Sequence, residues 1–181
     1  MSLTQYYTAT SLDGFIADES HSLEWLFTQQ QDRAGPLNYD EFYARVGAVA
    51  MGSTTYEWIL DHEGQRWPYD VPAWVFTHRG LKTITGAQIA FTSGDVRDVH
   101  EEMRQAAGDR NVWIVGGGDL AGQFADAGLL DEVIVYVAPV TLGAGAPLLP
   151  RRVELRLEET ARNGDFVAAR YAVVSAGAEG A

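Results

Sequence analysis

The chain has 181 residues, 46% of them hydrophobic, 21% charged and 11% aromatic; this suits a folded domain with a substantial core and excludes a disordered or fibrous chain. The 13 Lys and Arg against 25 Asp and Glu leave a formal net charge of −12, and no basic cluster offsets it, so nucleic acid is excluded as a partner. The absence of cysteine excludes disulfides, thiolate metal sites and cysteine nucleophiles.

In chain order, Leu3 to Thr10 predicts a first strand, ended by the turn chemistry of Asp13-Gly14. Phe15 to Pro36 has no clear periodicity, and a stretch that long in a compact domain is functional or anchored by its own side chains. Asn38 reads as a helix N-cap with Glu41 at the third helical position, and Tyr39, Phe42, Tyr43 and Val46 follow at helical spacing on one apolar face. Ala48 to Met51 predicts a short buried strand. Gly52 follows it, and Thr54-Thr55-Tyr56-Glu57 is a capping-box pattern opening a helix through Ile59 or Leu60. Ala73 to Thr77 and Gln88 to Thr92 predict two more strands. A helix from about Asp95 turns Val96, Val99 and Met103 inward and stops at Gly108.

Asn111 to Val115 is a strongly apolar strand, and Gly116-Gly117-Gly118 leads from it into a helix carrying Leu120 and Phe124. Asp131 to Ala138 is another buried strand. Val153 to Glu159 and Phe166 to Val174 form a terminal pair around Asn163-Gly164. Apolar strands alternating with helices imply an α/β fold: a mainly parallel sheet with helices on both faces and an antiparallel hairpin at the end. A single domain over residues 1–174 is expected, followed by a loose tail over 175–181, where Ser175 to Ala181 lacks apolar anchors.

Three strand ends carry candidate chemistry, because ligands of open α/β sheets bind beyond the carboxyl ends of the strands. Val115-Gly116-Gly117-Gly118-Asp119-Leu120 runs a buried strand into glycines and a helix, which brings free N–H groups and a positive dipole end to an anion. Gly116, Gly118 and Ala121 also fit G-x-G-x-x-A, but a Rossmann fingerprint follows the first strand of its unit, and four or five strands come earlier here. Met51-Gly52-Ser53-Thr54-Thr55-Tyr56-Glu57 repeats the design, with hydroxyls that can cap the helix, bind phosphate or both. Two such turns in one sheet suit a dinucleotide, whose pyrophosphate needs donors on both sides. Thr77-His78-Arg79 ends a third strand, and the Arg79 guanidinium suits the 2′-phosphate of NADP. The four histidines, His21, His62, His78 and His100, lack metal-ligand spacing, so no metal is expected. No apolar run is long enough to cross a bilayer and the first residues do not read as a secretory leader, so a cytoplasmic protein is expected.

As an ordered set, Thr8 to Ala17, Val49 to Glu57, Val75 to Arg79 and Val112 to Leu120 resemble the dihydrofolate-reductase-like superfamily. The nearest branch is the RibD C-terminal type, the reductase domain of riboflavin biosynthesis, in its stand-alone bacterial form. The resemblance covers nearly the whole chain and implies a three-layer fold and an NADPH site. It implies that Gly52, Ser53, Thr54 and Thr55 flank the pyrophosphate on one side and Gly117, Gly118, Asp119 and Leu120 on the other. It also implies that Thr77 and Arg79 meet the 2′-phosphate, that Ala9 and Ile16 line the nicotinamide, and that the chain forms a homodimer, to which Val133 to Val140 and Thr141 to Pro150 are candidate contributors. Many relatives carry Arg directly after the glycine numbered Gly52 here; this chain has Ser53.

The expected reaction is hydride transfer from NADPH to a small pterin-, pyrimidine- or flavin-like heterocycle, with Trp25, Tyr39 and Tyr43 as candidate stacking residues. Asp13, Asp40 or ordered water is expected to deliver the proton. Asp40 lies on the flank of the apolar helix face and Asp13 at the mouth of the first strand. Three other readings stay open: a nucleotide-holding module without turnover, a 5-amino-6-(5-phosphoribosylamino)uracil reductase of the riboflavin pathway, and a structural dimer module.

Overall fold

Strand and helix alternate through the computed structural model, which describes residues 1–64 and 66–174. The first half runs β1 (Thr4–Thr10), β2 (Phe15–Ala17), α1 (Glu24–Phe27), α2 (Tyr39–Tyr43), β3 (Val46–Gly52), α3 (Ser53–His62), β4 (Ala73–Phe76) and β5 (Ile89–Thr92). The second runs α4 (Val96–Ala107), β6 (Asn111–Gly116), α5 (Gly118–Asp126), β7 (Glu132–Val137), β8 (Ala146–Pro147), β9 (Leu155–Asn163) and β10 (Phe166–Val173). The tail expected over 175–181 lies outside the described residues.

One large sheet has the order β5-β4-β3-β6-β1-β7-β10-β9. It is parallel from β5 to β7, and β10 and β9 add the antiparallel hairpin at its edge. The central strands are apolar because both faces are covered. On one face Val96, Val99 and Met103 of α4 and Leu120 and Phe124 of α5 pack on Tyr6, Ile114 and Val135. On the other, Tyr56 and Ile59 of α3 and Phe42 of α2 pack on Val49, Val75 and Trp113. This is the expected α/β architecture. α4 matches its sequence signals at both ends: Asp95 accepts from Arg97 N at 2.8 Å, and Gly108 ends the helix at φ 63°.

Two local expectations are corrected. Val46 opens β3 and does not extend α2, because Asn111 N donates to Arg45 O at 2.8 Å and draws the chain into the sheet one residue earlier. The capping box at Thr54 does not form: α3 starts at Ser53 directly behind Gly52, with no side-chain cap, and Glu57 turns outward to Arg79. Within the stretch from Phe15 to Pro36, β2 pairs with β8 in a small second sheet and α1 adds one turn.

Its remainder is strapped to the β9–β10 turn. Asn163 accepts from Asp32 N at 2.8 Å and donates to Asp32 O and Pro36 O, while Asp165 accepts from Gln30 N at 2.7 Å and its own N–H donates to Gln30 O.

The sheet parts at one place. β1 pairs with β6 only through Thr4–Tyr6 and Val112–Ile114, although β1 continues to Thr10 and β6 to Gly116. On its other side β1 stays paired with β7 through Thr10. Beyond Tyr6 and Ile114 the carboxyl ends of two central strands therefore diverge.

Candidate functional site

A cleft of about 540 Å³ opens at this parting. Ile16, Gly52, Ser53, Thr54, Thr55, Gly117, Gly118, Asp119 and Leu120 all line it. β3 runs straight into α3 and β6 into α5, so both helices begin at the cleft. Their N-cap residues are Gly52 and Gly117, and neither helix has a side-chain cap. The leading N–H groups of both are thus left for a ligand, and both dipoles present their positive ends. Among the described residues no Lys or Arg lines the cleft. Gly118 is required by a close approach, because a Cβ there would run into the backbone oxygens of Pro147 and Leu148. The Gly116–Gly117 peptide is cis. Asp119 is turned to Arg151 at 2.8 Å and to Gln123 at 3.0 Å. The Gln123 and Arg151 hydrogen bonds hold its carboxyl below the usual range.

A second cavity, of about 460 Å³, lies on the other side of the parting. The two share Thr8 and Val115. Tyr7, Tyr39, Trp113, Tyr136, Phe27 and Phe166 give this pocket aromatic walls, and Ala9 lies among them. Trp113 stands edge-on to Tyr39 with centroids 5.8 Å apart, and its Nε1 donates to Tyr7 O at 3.1 Å where β1 has left β6. The Tyr136 hydroxyl donates to Pro36 O at 2.8 Å. Burial, then neighbouring Tyr43 and Asp40, pushes the Tyr39 hydroxyl up to about 12, so it stays a neutral donor.

The remaining candidates stand apart. Asp13 is exposed and lines neither cavity. Its carboxylate accepts from Ser11 Oγ at 2.6 Å, Leu142 N at 3.0 Å and Gly143 N at 2.7 Å, and the Ser11 and Leu142 bonds lead in lowering its pKa from 3.8 to about 2. That depressed value means the ionised carboxylate stabilises the loop above about pH 4. The contribution is lost as the pH falls toward about 2. Asp13→Asn is therefore expected to lower the melting temperature at neutral pH and to flatten its decline between these limits, as read by thermal melts across a pH series. An unchanged acid profile would assign that slope to other carboxylates.

Asp40 is exposed on α2 and lines neither cavity. Thr77 Oγ1 accepts from Arg79 N at 3.0 Å, and the Arg79 guanidinium pairs with Glu57 at 2.7 Å, outside the cleft lining. Glu57 lines an adjoining groove that shares Thr54 and Trp58 with the cleft. Of the proposed stacking residues, Tyr39 lines the aromatic pocket. Tyr43 stacks on Tyr39 and binds Asp70, and Trp25 packs against Tyr136, Ala138 and Phe166.

Sequence reasoning missed Thr8 and Val115 at the junction, Trp113 and Tyr136 in the pocket, and Ala146 and Pro147 of β8 in the cleft. The usable signal was that Thr8 and Val115 both stand near the carboxyl ends of central strands.

Comparison with known proteins gives the family and the fold. The RibD C-terminal domain family matches residues 58–165. The uncharacterized protein YwjB of Bacillus subtilis (strain 168) is 34% identical over 172 residues, covering 93% of this chain and 96% of that protein. A Shewanella sp. PV-4 protein assigned to riboflavin biosynthesis superposes with a TM-score of 0.80 at 24% identity, covering 96% of this chain and 99% of that one. Dihydrofolate reductase from Enterococcus faecalis, complexed with NADP(H), shares the fold with a TM-score of 0.56 at 13% identity, over 96% of this chain and 97% of that one. A family match over more than half the chain and a full-length relative at that identity lead to one assignment: the chain belongs to the RibD C-terminal domain family.

Proposed function

We infer that the protein is a reductase that takes NADPH in the glycine-lined cleft and a small flat heterocycle in the aromatic pocket. The observation that carries this reading is the convergence of two uncapped helix N-termini on a cleft that meets an aromatic pocket through the parting of β1 and β6. The NADP(H) complex of a dihydrofolate reductase with this fold supports it.

The N–H groups at the starts of α3 and α5 and the hydroxyls of Ser53, Thr54 and Thr55 hold the pyrophosphate, which needs no Lys or Arg when two helix dipoles face it. Ile16 and Thr8 border the place where the nicotinamide meets the pocket, and Ala9 lies on the pocket side. When bound, the reduced nicotinamide supplies a hydride. The aromatic walls orient the acceptor ring and exclude water from its faces. Among the described residues no carboxylate lines the pocket, so the proton comes from solvent at its mouth, with Asp13 fixing the loop at Leu142 and Gly143 and Asp40 remaining at the surface. A cytoplasmic homodimer completes the proposal. Leu155 and Leu157 on the edge strand β9 are exposed and suit a subunit contact, whereas Val133 to Ala138 are internal to the sheet.

Titration with NADPH and with NADH, followed by tryptophan quenching, tests the reading, since Trp58 lines the cleft. Saturable binding that favours NADPH is expected. The 2′-phosphate competes with Glu57 for Arg79, so Arg79→Ala lowers the NADPH/NADH preference and Glu57→Gln raises it. Failure of both nucleotides to bind overturns the reading; binding with no turnover on any heterocycle leaves a nucleotide-holding module.

A further inference from the structure

The two halves of the site differ in their means of holding charge. The cleft has two helix N-termini. The aromatic pocket has none: α2, beside it, is a helix of five residues whose Glu41 N–H is already taken by Asn38 Oδ1 at 2.9 Å. Among the described residues no Asp, Glu, His, Lys or Arg lines the pocket. Its polar wall consists of Thr8, Tyr39 and two amide side chains, Gln29 and Gln31, since the Tyr7 and Tyr136 hydroxyls already donate to Leu37 O and Pro36 O. Gln29 Nε2 donates to Trp25 O at 3.1 Å and Thr28 Oγ1 at 3.2 Å, which leaves its oxygen to accept. Amide groups and neutral phenols complement the alternating C=O and N–H edge of a lactam ring, and aromatic faces complement its plane.

Among the described residues the pocket lining offers a phosphate tail no cation, and the groove that shares Phe27 with it sets Lys82, His21 and His62 beside Glu24, Glu57 and Asp61. The neighbouring groove on the same sheet face, reached past Tyr7, contains Arg45 and Arg170, but also Glu41, Glu132 and Glu159. Arg170 is engaged by Glu132 at 3.1 Å and by Glu159 at 3.2 Å. A phosphate placed there meets more negative than positive charge on a protein whose formal net charge is already −12. Desolvating a phosphate without a compensating cation or N–H cluster is costly.

We propose that the substrate half of the site selects an uncharged, unphosphorylated lactam heterocycle and rejects phosphorylated forms of the same ring. This rests on the reductase reading. It departs from the phosphoribosylaminouracil substrate that membership of a riboflavin-type reductase branch would suggest.

Matched pairs differing only in phosphate test it. Riboflavin against flavin mononucleotide, and uridine against uridine monophosphate, are titrated into the full-length protein saturated with oxidised NADP, with dissociation constants from fluorescence and calorimetry. The neutral member of a pair is expected to bind at least about tenfold more tightly. Gln31→Lys, an exposed position at the pocket wall, is expected to narrow that ratio several-fold without altering the NADP titration. Equal or tighter binding of the phosphorylated members overturns the proposal, and so does failure of every neutral ring to bind. Repeating the titrations without nucleotide separates the two ideas. Neutral-ring selectivity in a protein that binds no nucleotide sinks the reductase reading alone, whereas nucleotide binding with phosphate tolerance sinks this one.

Discussion

Replacing Ser53 with Glu is expected to abolish nucleotide binding while leaving the protein at least as stable as before. Ser53 is the first residue of α3 and lines the cleft, and the first turn of α3 contains no acidic residue. A carboxylate at a helix N-terminus stabilises it by about 0.3–1 kcal/mol, so the melting temperature holds or rises slightly. The same carboxylate takes the N–H groups that the pyrophosphate needs and repels its charge. A loss of at least about 100-fold in NADPH affinity, about 2.7 kcal/mol, follows. Ser53→Arg, which places a guanidinium at the start of α3, is expected to tighten binding about tenfold by adding a charge-assisted contact. Opposite signs for affinity and stability are the signature. Affinity within a few-fold of the parent in Ser53→Glu would move the pyrophosphate away from α3.

Gly118→Ala is expected to be the most damaging single-methyl change at the site. Within a helix, Gly→Ala ordinarily gains up to about 1 kcal/mol. Here the added carbon would run into the backbone oxygens of Pro147 and Leu148 and lie 2.8 Å from the Leu148 carbonyl carbon. Backbone cannot rotate aside as a side chain can. Leu148 O is also the acceptor of the buried Tyr6 hydroxyl at 3.0 Å, and Leu148 N donates to Gly14 O at 2.9 Å, so a displaced Leu148 strains both. Overpacking of this kind costs about 3 kcal/mol. At about 2–4 °C per kcal/mol for a chain of this size, the melting temperature falls by roughly 10 °C. The β8 residues Ala146 and Pro147 line the cleft, so nucleotide binding weakens as well. Gly80→Ala, with nothing within 4 Å of its Cβ, is the control and should be near neutral. A Gly118→Ala protein that melts like the parent would mean that the β8 segment yields freely.

Signals that are local in the chain were legible in it. α4 announces itself through a cap, an apolar face and a terminating glycine, and β3 and β6 through unbroken apolar runs, because each is stabilised within a few residues or by simple burial on both faces. The glycine turns after β3 and β6 were legible for the same reason. β2 and β8 were not, since each is two or three residues long and is defined only by its partner across the chain. The start of α3 was misplaced because Thr54 and Glu57 fit a capping pattern, whereas Gly52 in extended backbone already forms the cap position. The aromatic pocket was only partly legible. Tyr7, Trp113 and Tyr136 sit in apolar strands and read as core; they become a wall because β1 and β6 separate, which is a matter of register between residues more than a hundred positions apart.

The strap between the hairpin turn and the segment from Gln30 to Pro36 bears on how this pocket can change over time. Asn163 and Asp165 grip that segment by its main chain, at Gln30, Asp32 and Pro36, and leave the side chains of Gln29 and Gln31 uncommitted to the strap. The path of the wall is thus inherited separately from its chemistry. A lineage can exchange the two glutamines and acquire a taste for a different ring while the segment keeps its course, so variety among descendants should gather at these two positions and constancy at the distant turn.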